Sequence, residues 1–534
     1  MIIGRYFHTV RHLRPAQVFG RAWFRLQRPR PDLRAAPPLA PVTGQWTRWA
    51  WREPSMLGPS RFRFLGAEHD VVGAAGWDDA RIPRLWRYNL HYFDDLVAID
   101  AASRSAMHRA LIARWITENG AGTATAWEPY PVSLRVVNWV KAELDARYDG
   151  RAGDLLDASA VASLAVQLRW LGRRLETHLM GNHLWANAKA LVVGGLFFEG
   201  DEGAAWLARG SAMFRYELRE QVLADGGHFE LSPMYHATML EDVLDLLNLA
   251  RTFPARFPTA LASALREVAP RMLHWLRVMT HPDGRIAFFN DAAFGIAPEF
   301  AQLRAHAHAL GVTHDAAGAR ALAPCEVLAD SGYVRLETTR AVVLCDIGAV
   351  GPDHLPAHAH ADTLSFELSV DGERVLVNGG TSTYERDAER MSQRGTAAHN
   401  TVVVDDEDSS EVWGAFRVAR RARARMLGAG TVDGSWAEGE HDGYRRLAGR
   451  VTHRRRWELR DDALIVLDTL EGTYREARAQ FLFAPGKWAQ VTTTPPHDVT
   501  PVAAEWHPCF GTAVAAQRLS LPVRGSALRT RISW

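Results

Sequence analysis

The amino-acid sequence predicts a multidomain α+β protein, an N-terminal (α/α) toroid or incomplete barrel followed by a C-terminal antiparallel β-sandwich. Two observations predict it. Apolar residues recur at helical spacing from about residue 85 to 308, and after about residue 323 their period falls to two. The chain has 534 residues, 47% hydrophobic and 23% charged. At roughly 150 residues per domain that length gives about two to four domains, and the composition excludes a disordered, collagen-like or coiled-coil chain.

Residues 1–45 read as a small basic unit. Pro15 opens a helix with Val18, Phe19, Ala22, Trp23 and Leu26 on one stripe, and a Pro-rich linker follows at 37–41. Eight arginines stand against one aspartate before Ala35. A basic helix packed on the toroid is expected, in preference to a membrane-surface or partner-binding element. Residues 46–320 make the toroid. Segments 133–148, 158–179, 182–198, 204–223, 235–253 and 258–280 are each long enough for a helix, and their Gly- and Pro-bearing connections show no fixed repeat. Residues 321–534 make the sandwich. Strands are expected at 334–337, 341–345, 364–370, 374–377, 401–404, 463–467 and 479–483, with Asp371-Gly372 as a hairpin turn.

Lysine plus arginine (62) balance aspartate plus glutamate (61), so no global field favours nucleic acid. Cys325, Cys345 and Cys509 are too few and too scattered for a disulfide framework or a cysteine metal site. No apolar run reaches a membrane span; the best candidate, residues 190–198, stops at Glu199. Arg5, Arg11 and Arg14 have no apolar core segment between them, so no secretory signal is read and a cytoplasmic location is expected, or a periplasmic one if the N-terminus is trimmed. Parts of this size can each stand alone, and the oligomeric state is left open.

Nineteen tryptophans suit stacking on sugar rings, although aromatics at helical spacing also fill cores. Three helical segments hold more polar residues than an amphipathic helix needs: 181–187 (GNHLWAN), 225–236 (DGGHFELSPMYH) and 289–291 (FND). Asn182 also reads as a helix N-cap. In the second half, His358 and His360 lie two apart on an extended chain and so share a face. Two imidazoles on one side suit a metal site or a base, and Asn378, Arg394, His399 and Asn400 add polar groups at strand edges. Arg421, Arg423 and Arg425 alternate along an expected strand, a basic strip for an acidic glycan or a charge-blunted edge.

The ordered segments GNHLWANAKAL, DGGHFELSPMYH, HAHADTLSFEL, VLVNGGTSTYE and RGTAAHNTVVVD resemble the heparinase II/III family of polysaccharide lyases, which includes exolytic alginate lyases. The resemblance covers about residues 80–425 and implies the same toroid-plus-sandwich architecture. It implies β-elimination at a uronic acid residue, leaving a 4,5-unsaturated sugar, with an acidic polysaccharide or oligosaccharide as partner. That reaction needs the carboxylate neutralised, a base for the C5 proton and an acid for O4 of the leaving sugar.

By resemblance Asn182 and His183 engage the carboxylate, Tyr235 is the acid and in a syn elimination also the base, and His358 is a base on the opposite face. A phenol with an ordinary pKa of ~10 needs cationic neighbours to act as base, and Arg394 and His399 are the candidates. Glu230, Trp127, Tyr130, Arg135 and Arg394 are expected to bind substrate. The resemblance also implies one structural zinc ion on His360, His399 and the position of Asn378, where the family has aspartate. The neutral amide predicts weaker zinc binding or none. No organic cofactor is implied. A non-lytic glycan-binding protein and a metal-dependent glycan hydrolase are the alternative readings.

Overall fold

The computed structural model describes residues 2–312, 321–497 and 500–534; the expected end of the helical part at residue 320 lies outside them. The chain is a mixed helix-and-sheet protein in which helices dominate up to Ala309 and antiparallel sheets follow from Cys325.

The long helices are Pro129–Tyr148, Ala158–Arg173, Gly181–Phe197, Gly200–Gln221, Pro233–Thr252 and Thr259–Val278. Their apolar stripes merge into one core that includes Trp86, Trp115, Trp139, Leu191, Phe214 and Leu244. Helices Gly181–Phe197 and Gly200–Gln221 approach unusually closely. A Cβ on Gly195 would lie 2.3 Å from the Leu207 backbone nitrogen, so this crossing requires glycine. The expected helix 158–179 stops at Arg173. The segment after it is held open because Asn187 Oδ1 accepts the Glu176 N–H at 2.8 Å, which turns Glu176 toward the next helix.

In the second half a six-stranded sheet runs Ala424–Gly430, Ser435–His441, Thr452–Leu459, Ala463–Glu471, Ala527–Ser533, Gln490–Thr494. A nine-stranded sheet includes Cys325–Leu328, Tyr333–Glu337, Ala341–Asp346, Phe366–Val370, Glu373–Leu376 and Ala477–Phe483. Among the described residues the strands of both sheets pair antiparallel, for example Val343 with Leu368 and Trp457 with Val466. Val334, Phe366 and Phe481 of one sheet and Trp457, Leu464 and Ile532 of the other share one core. The expected strand 364–370 begins only at Phe366, because Leu364 sits in the left-handed region at φ 62°. The expected strand through Arg421 and Arg423 is absent: Val418 ends a two-residue strand and Ala424 begins the next. Arg421 and Arg423 both turn to Asp353 and Arg425 pairs Glu440, so the basic strip is neutralised locally.

A separate apolar cluster joins the parts. Trp275, Val278 and Met279 from the helical side pack with Leu328, Tyr333, Val342 and Leu344 of the nine-stranded sheet, with Leu231 and Phe289 between them. The N-terminal arm forms two helices, Ile2–Val10 and Pro15–Leu26. Its Pro-rich continuation is pinned to the helical part, with the Ala40 N–H bonded to the Phe197 carbonyl. No helix among the described residues is long and apolar enough to cross a membrane.

Candidate active site

The polar segments meet where the two parts join. Three of them adjoin non-glycine residues with positive φ: Met180 (61°) before Gly181-Asn182, Leu231 (58°) after Glu230, and Asn290 (57°) before Asp291. Such conformations cost about 1–3 kcal/mol each and persist only where surroundings enforce them. For Asn290 the enforcement is explicit. Its Nδ2 donates to the Leu231 carbonyl, its Oδ1 accepts the His360 N–H at 3.0 Å, and its own N–H goes to Asp362. Asparagine tolerates this region better than other side chains.

That turn delivers Asp291 into the centre of the site. Its fully buried carboxylate takes His358 Nδ1 at 2.9 Å, His360 Nε2 at 2.8 Å and both terminal nitrogens of Arg390. Burial works against its charge, but Arg390, His358 and His360 outweigh burial and hold the group well below the ordinary carboxylate range. An ionised carboxylate only accepts, so His358 carries its proton on Nδ1 and keeps a lone pair on Nε2. The same logic runs on through His360, whose Nδ1 accepts from His399 Nε2 at 3.3 Å. Burial lowers the pKa of both His360 and His399, keeping them neutral.

Tyr235 enters from the helical side. Ser232 caps helix Pro233–Thr252 by accepting the Tyr235 N–H. The Tyr235 ring stacks on His358 with centroids 3.9 Å apart, and its hydroxyl lies 3.1 Å from that of Tyr384. Burial first, then Tyr384 and Asp291, push its pKa well above the ordinary phenol value, so it holds its proton at neutral pH. The separation corrects one expectation: no pyranose fits between rings 3.9 Å apart, so His358 stands beside Tyr235 and not across a sugar from it. Arg394 and His399 do not reach the phenol either. The cation nearest this pair is Arg390, over the Tyr384 ring at 4.9 Å.

Asn182 is buried in the first turn of helix Gly181–Phe197. His183 is part-exposed, stacks with Tyr130 at 4.5 Å and sets Nδ1 3.1 Å from Glu176. Burial opposes its protonation, but the Glu176 carboxylate outweighs burial and raises its pKa above the ordinary value. Glu230 Oε2 is buried without a hydrogen-bond partner, 3.8 Å from His358 Nε2, and burial raises this carboxyl's pKa. The arrangement thus offers a phenolic acid, an imidazole nitrogen outside the Asp291 cluster, an imidazole whose pKa is raised and a carboxyl whose pKa is raised.

Three expected substrate contacts turn inward instead. Arg394 is fully buried and donates to the carbonyls of Ala359 and Gly414. Arg135 is fully buried and donates to His91, Ala126 and Gln167. Trp127 belongs to the helical core. The two arginines satisfy carbonyls inside the fold, and Trp127 fills apolar volume. Tyr384 and Arg390 were not singled out by sequence: Tyr384 closes the segment VLVNGGTSTYE, whereas Arg390 lies in the short helix Ala388–Arg394, which carries no chemical signature.

The residues implied for zinc do not fit that ion well. His360 and His399 do meet, but His360 Nε2 is committed to Asp291. Asn378 spends its amide on Ser365 and accepts the Asn400 N–H. Among the described residues no three His, Cys, Asp or Glu side chains are grouped as a metal site, and two imidazoles with a neutral amide are a poor donor set for zinc. A cavity of about 680 Å³ lined by Glu337, Asp433 and Arg460 lies apart from these groups and carries none of them.

A phenol delivered by a helix and an imidazole delivered by the loop between strands Ala341–Asp346 and Phe366–Val370 define a two-part protein with one shared site. The sequence matches the Heparinase II/III N-terminus over residues 103–304 and the Heparinase II/III-like, C-terminal domain over residues 320–534. The chain belongs to the heparinase II/III family. It is 26% identical over 251 residues to a heparin-sulfate lyase of Bacteroides stercoris, covering 43% of this chain and 36% of the relative. It is 25% identical over 258 residues to the heparin-sulfate lyase of Pedobacter heparinus, covering 44% and 38%. The matched region therefore spans little more than a third of these curated relatives. Among solved structures, heparinase III superposes with a TM-score of 0.66 at 17% identity over 88% of this chain and 79% of that one. A heparan sulfate lyase from Pedobacter heparinus gives 0.58 at 17% identity over 97% and 87%. These two likenesses concern the fold.

Proposed function

We propose that this chain is a polysaccharide lyase that cleaves an acidic, uronate-containing polysaccharide by β-elimination, in a cleft between an (α/α) toroid and a β-sandwich. The observation that carries the reading is the pair Tyr235 and His358: a protonated phenol stacked on an imidazole whose Nδ1 is tied to buried Asp291. Family membership supports the same reaction class.

The step divides among these residues. Asn182 and His183, with Glu230 beside them, hold the uronate carboxylate and drain charge from C5, which makes its proton removable. His358 Nε2 takes that proton. The C5–H electrons become the C4–C5 double bond as the C4–O4 bond breaks, and Tyr235 gives its proton to O4. Tyr384 hydrogen-bonds the phenol as it loses that proton. Proton acceptor and donor stand side by side, which favours syn elimination. The carboxylate is neutralised by side chains, so the step needs no metal. We hold the zinc expectation as weak binding at most; metal analysis of the purified chain showing stoichiometric zinc bound by His360 and His399 overturns that.

The test is to incubate the purified chain with alginate, heparan sulfate, hyaluronate, chondroitin and bacterial capsular polysaccharides and follow ultraviolet absorbance of the unsaturated uronate. A rise on one polymer is expected, lowered about 10²–10⁴-fold by Tyr235→Phe. Cleavage whose products lack the double bond, or a folded chain that binds these glycans and leaves all of them intact, rules out the lyase reading.

A further inference from the structure

The N-terminal arm carries a feature that catalysis does not use. Helix Pro15–Leu26 docks through its less apolar side. Gln17 is buried and donates to the His354 carbonyl at 3.0 Å, Gly20 lies against His178, and the Phe24 ring packs on His178 at 4.4 Å beneath the Arg174 guanidinium. Positions 17, 20 and 24 share one helical face. The opposite face holds the apolar stripe, and it points into solvent: Phe19 is 74% exposed, Trp23 64% and Leu26 78%. The preceding helix repeats the pattern, with Phe7 at 63% beside half-exposed Tyr6 and Val10. The sequence predicts a basic helix packed on the helical part. The helix does pack there, with its less apolar side inward.

Exposed aromatic and aliphatic side chains gathered on one helix face mark a surface that something covers. The charge around it names the kind of partner. Eight arginines stand against one aspartate before residue 35 in an otherwise balanced chain. Arg14 pairs with Glu220 and Arg34 with Asp32 and Glu202. Among the described residues Arg11, Arg21, Arg25, Arg28 and Arg30 have no carboxylate within salt-bridge distance and are exposed. A second copy of this chain would set one cationic arm against another. We propose that the arm docks on an anionic lipid bilayer, with Phe7, Phe19, Trp23 and Leu26 in the interfacial region and the free arginines on lipid headgroups. Tryptophan, phenylalanine and leucine on one face with arginine beside them is the composition of helices that lie in a membrane interface.

The docking surface is joined to the site. Gln17 holds the carbonyl of His354, four residues before His358, and Thr9 accepts a hydrogen bond from Trp413 in the sheet part. A docked chain therefore presents its shared site close to the lipid surface, where polymer attached to or emerging from a membrane lies. This inference does not depend on the elimination reaction.

The experiment is flotation of the 534-residue chain with vesicles of phosphatidylcholine alone and of phosphatidylcholine with phosphatidylglycerol, at low and at high salt. Binding to the anionic vesicles only, weakening as salt rises, is expected. The double variant Phe19→Ser/Trp23→Ser and the double variant Arg21→Glu/Arg25→Glu should each lower binding at least about tenfold. Their far-ultraviolet dichroism should be unchanged, because these side chains face solvent. Failure of the wild-type chain to float with anionic vesicles overturns the proposal, as does a stripe variant that binds like wild type. A wild-type dimer that the stripe variant turns into a monomer, without vesicle binding, assigns the face to self-association instead.

Discussion

Two regions of the molecule hold nearly the same arrangement of charge. At the candidate site, His399 donates to His360, His360 donates to Asp291, and Asp291 is clamped by Arg390. Inside the sheet part, His441 Nε2 lies 3.3 Å from His453 Nδ1, His453 Nε2 lies 2.7 Å from Asp468, and Arg455 reaches both Asp468 oxygens. Each is a neutral imidazole pair ending on a buried carboxylate–guanidinium pair. They differ at their ends. Asp291 accepts an additional imidazole, His358, whose second nitrogen is left for other partners, whereas in the sheet cluster Gly443 N–H closes the chain on His441 Nδ1. A buried Asp–Arg pair with histidines is therefore no signature of catalysis. What separates the two is whether one imidazole keeps an uncommitted lone pair at the edge of the cluster.

The largest effect expected from this contrast is on turnover. Asp291→Asn frees the His358 tautomer and should lower the elimination rate about 10²–10⁴-fold, while Asp468→Asn leaves the rate per folded molecule within about twofold. Rates normalised to the folded fraction by circular dichroism check this, and equal losses in the two variants would erase the distinction. Next comes stability. Breaking a buried ion pair costs about 3–5 kcal/mol, so Asp468→Asn should show that loss in urea unfolding.

A smaller effect lies in acid. Burial alone would raise the Asp468 pKa, but Arg455 and His453 hold it at about 2, below its ordinary 3.8. A depressed folded pKa means stability present above the ordinary value and lost as pH falls toward about 2, worth about 2 kcal/mol. Wild-type melting temperature should fall more steeply than that of Asp468→Asn across this window; parallel curves refute the assignment.

The last effect belongs to a buried carboxyl outside both clusters. Glu217 has no cation clamp, only the Gln221 amide at 2.6 Å, and burial raises its pKa to about 7. A raised acid pKa costs stability as pH climbs from the ordinary 4.5 through 7. Glu217→Gln should therefore gain about 3 kcal/mol at pH 8 and little at pH 4, read from thermal melts at the two pH values.

Much of this was legible in the sequence, for identifiable reasons. The change of period located the helical and sheet parts, because burial on one face imposes 3.6 or 2.0. The two-residue spacing of His358 and His360 marked them as a pair, and both bond the same carboxylate, although they lie in the loop before strand Phe366–Val370 and not in a strand. The turns were not legible: Met180, Leu231 and Leu364 adopt left-handed φ without glycine to mark it, because tertiary contacts impose it. Arg390 and Arg394 are identical residues one helical turn apart, yet one clamps Asp291 and the other binds carbonyls. That choice depends on what each meets across the fold, which local sequence does not encode.

The apolar cluster that seams Trp275 and Met279 to Tyr333 and Leu344 also bears on how the protein comes apart. Neither part can melt without exposing the other's face of that seam, so heat should remove both in one cooperative transition and proteolysis should not release either as a persistent fragment. Cooperativity of this kind keeps Tyr235 and His358 in register throughout the life of the folded chain. It links the survival of the site to the stability of a seam that no substrate touches.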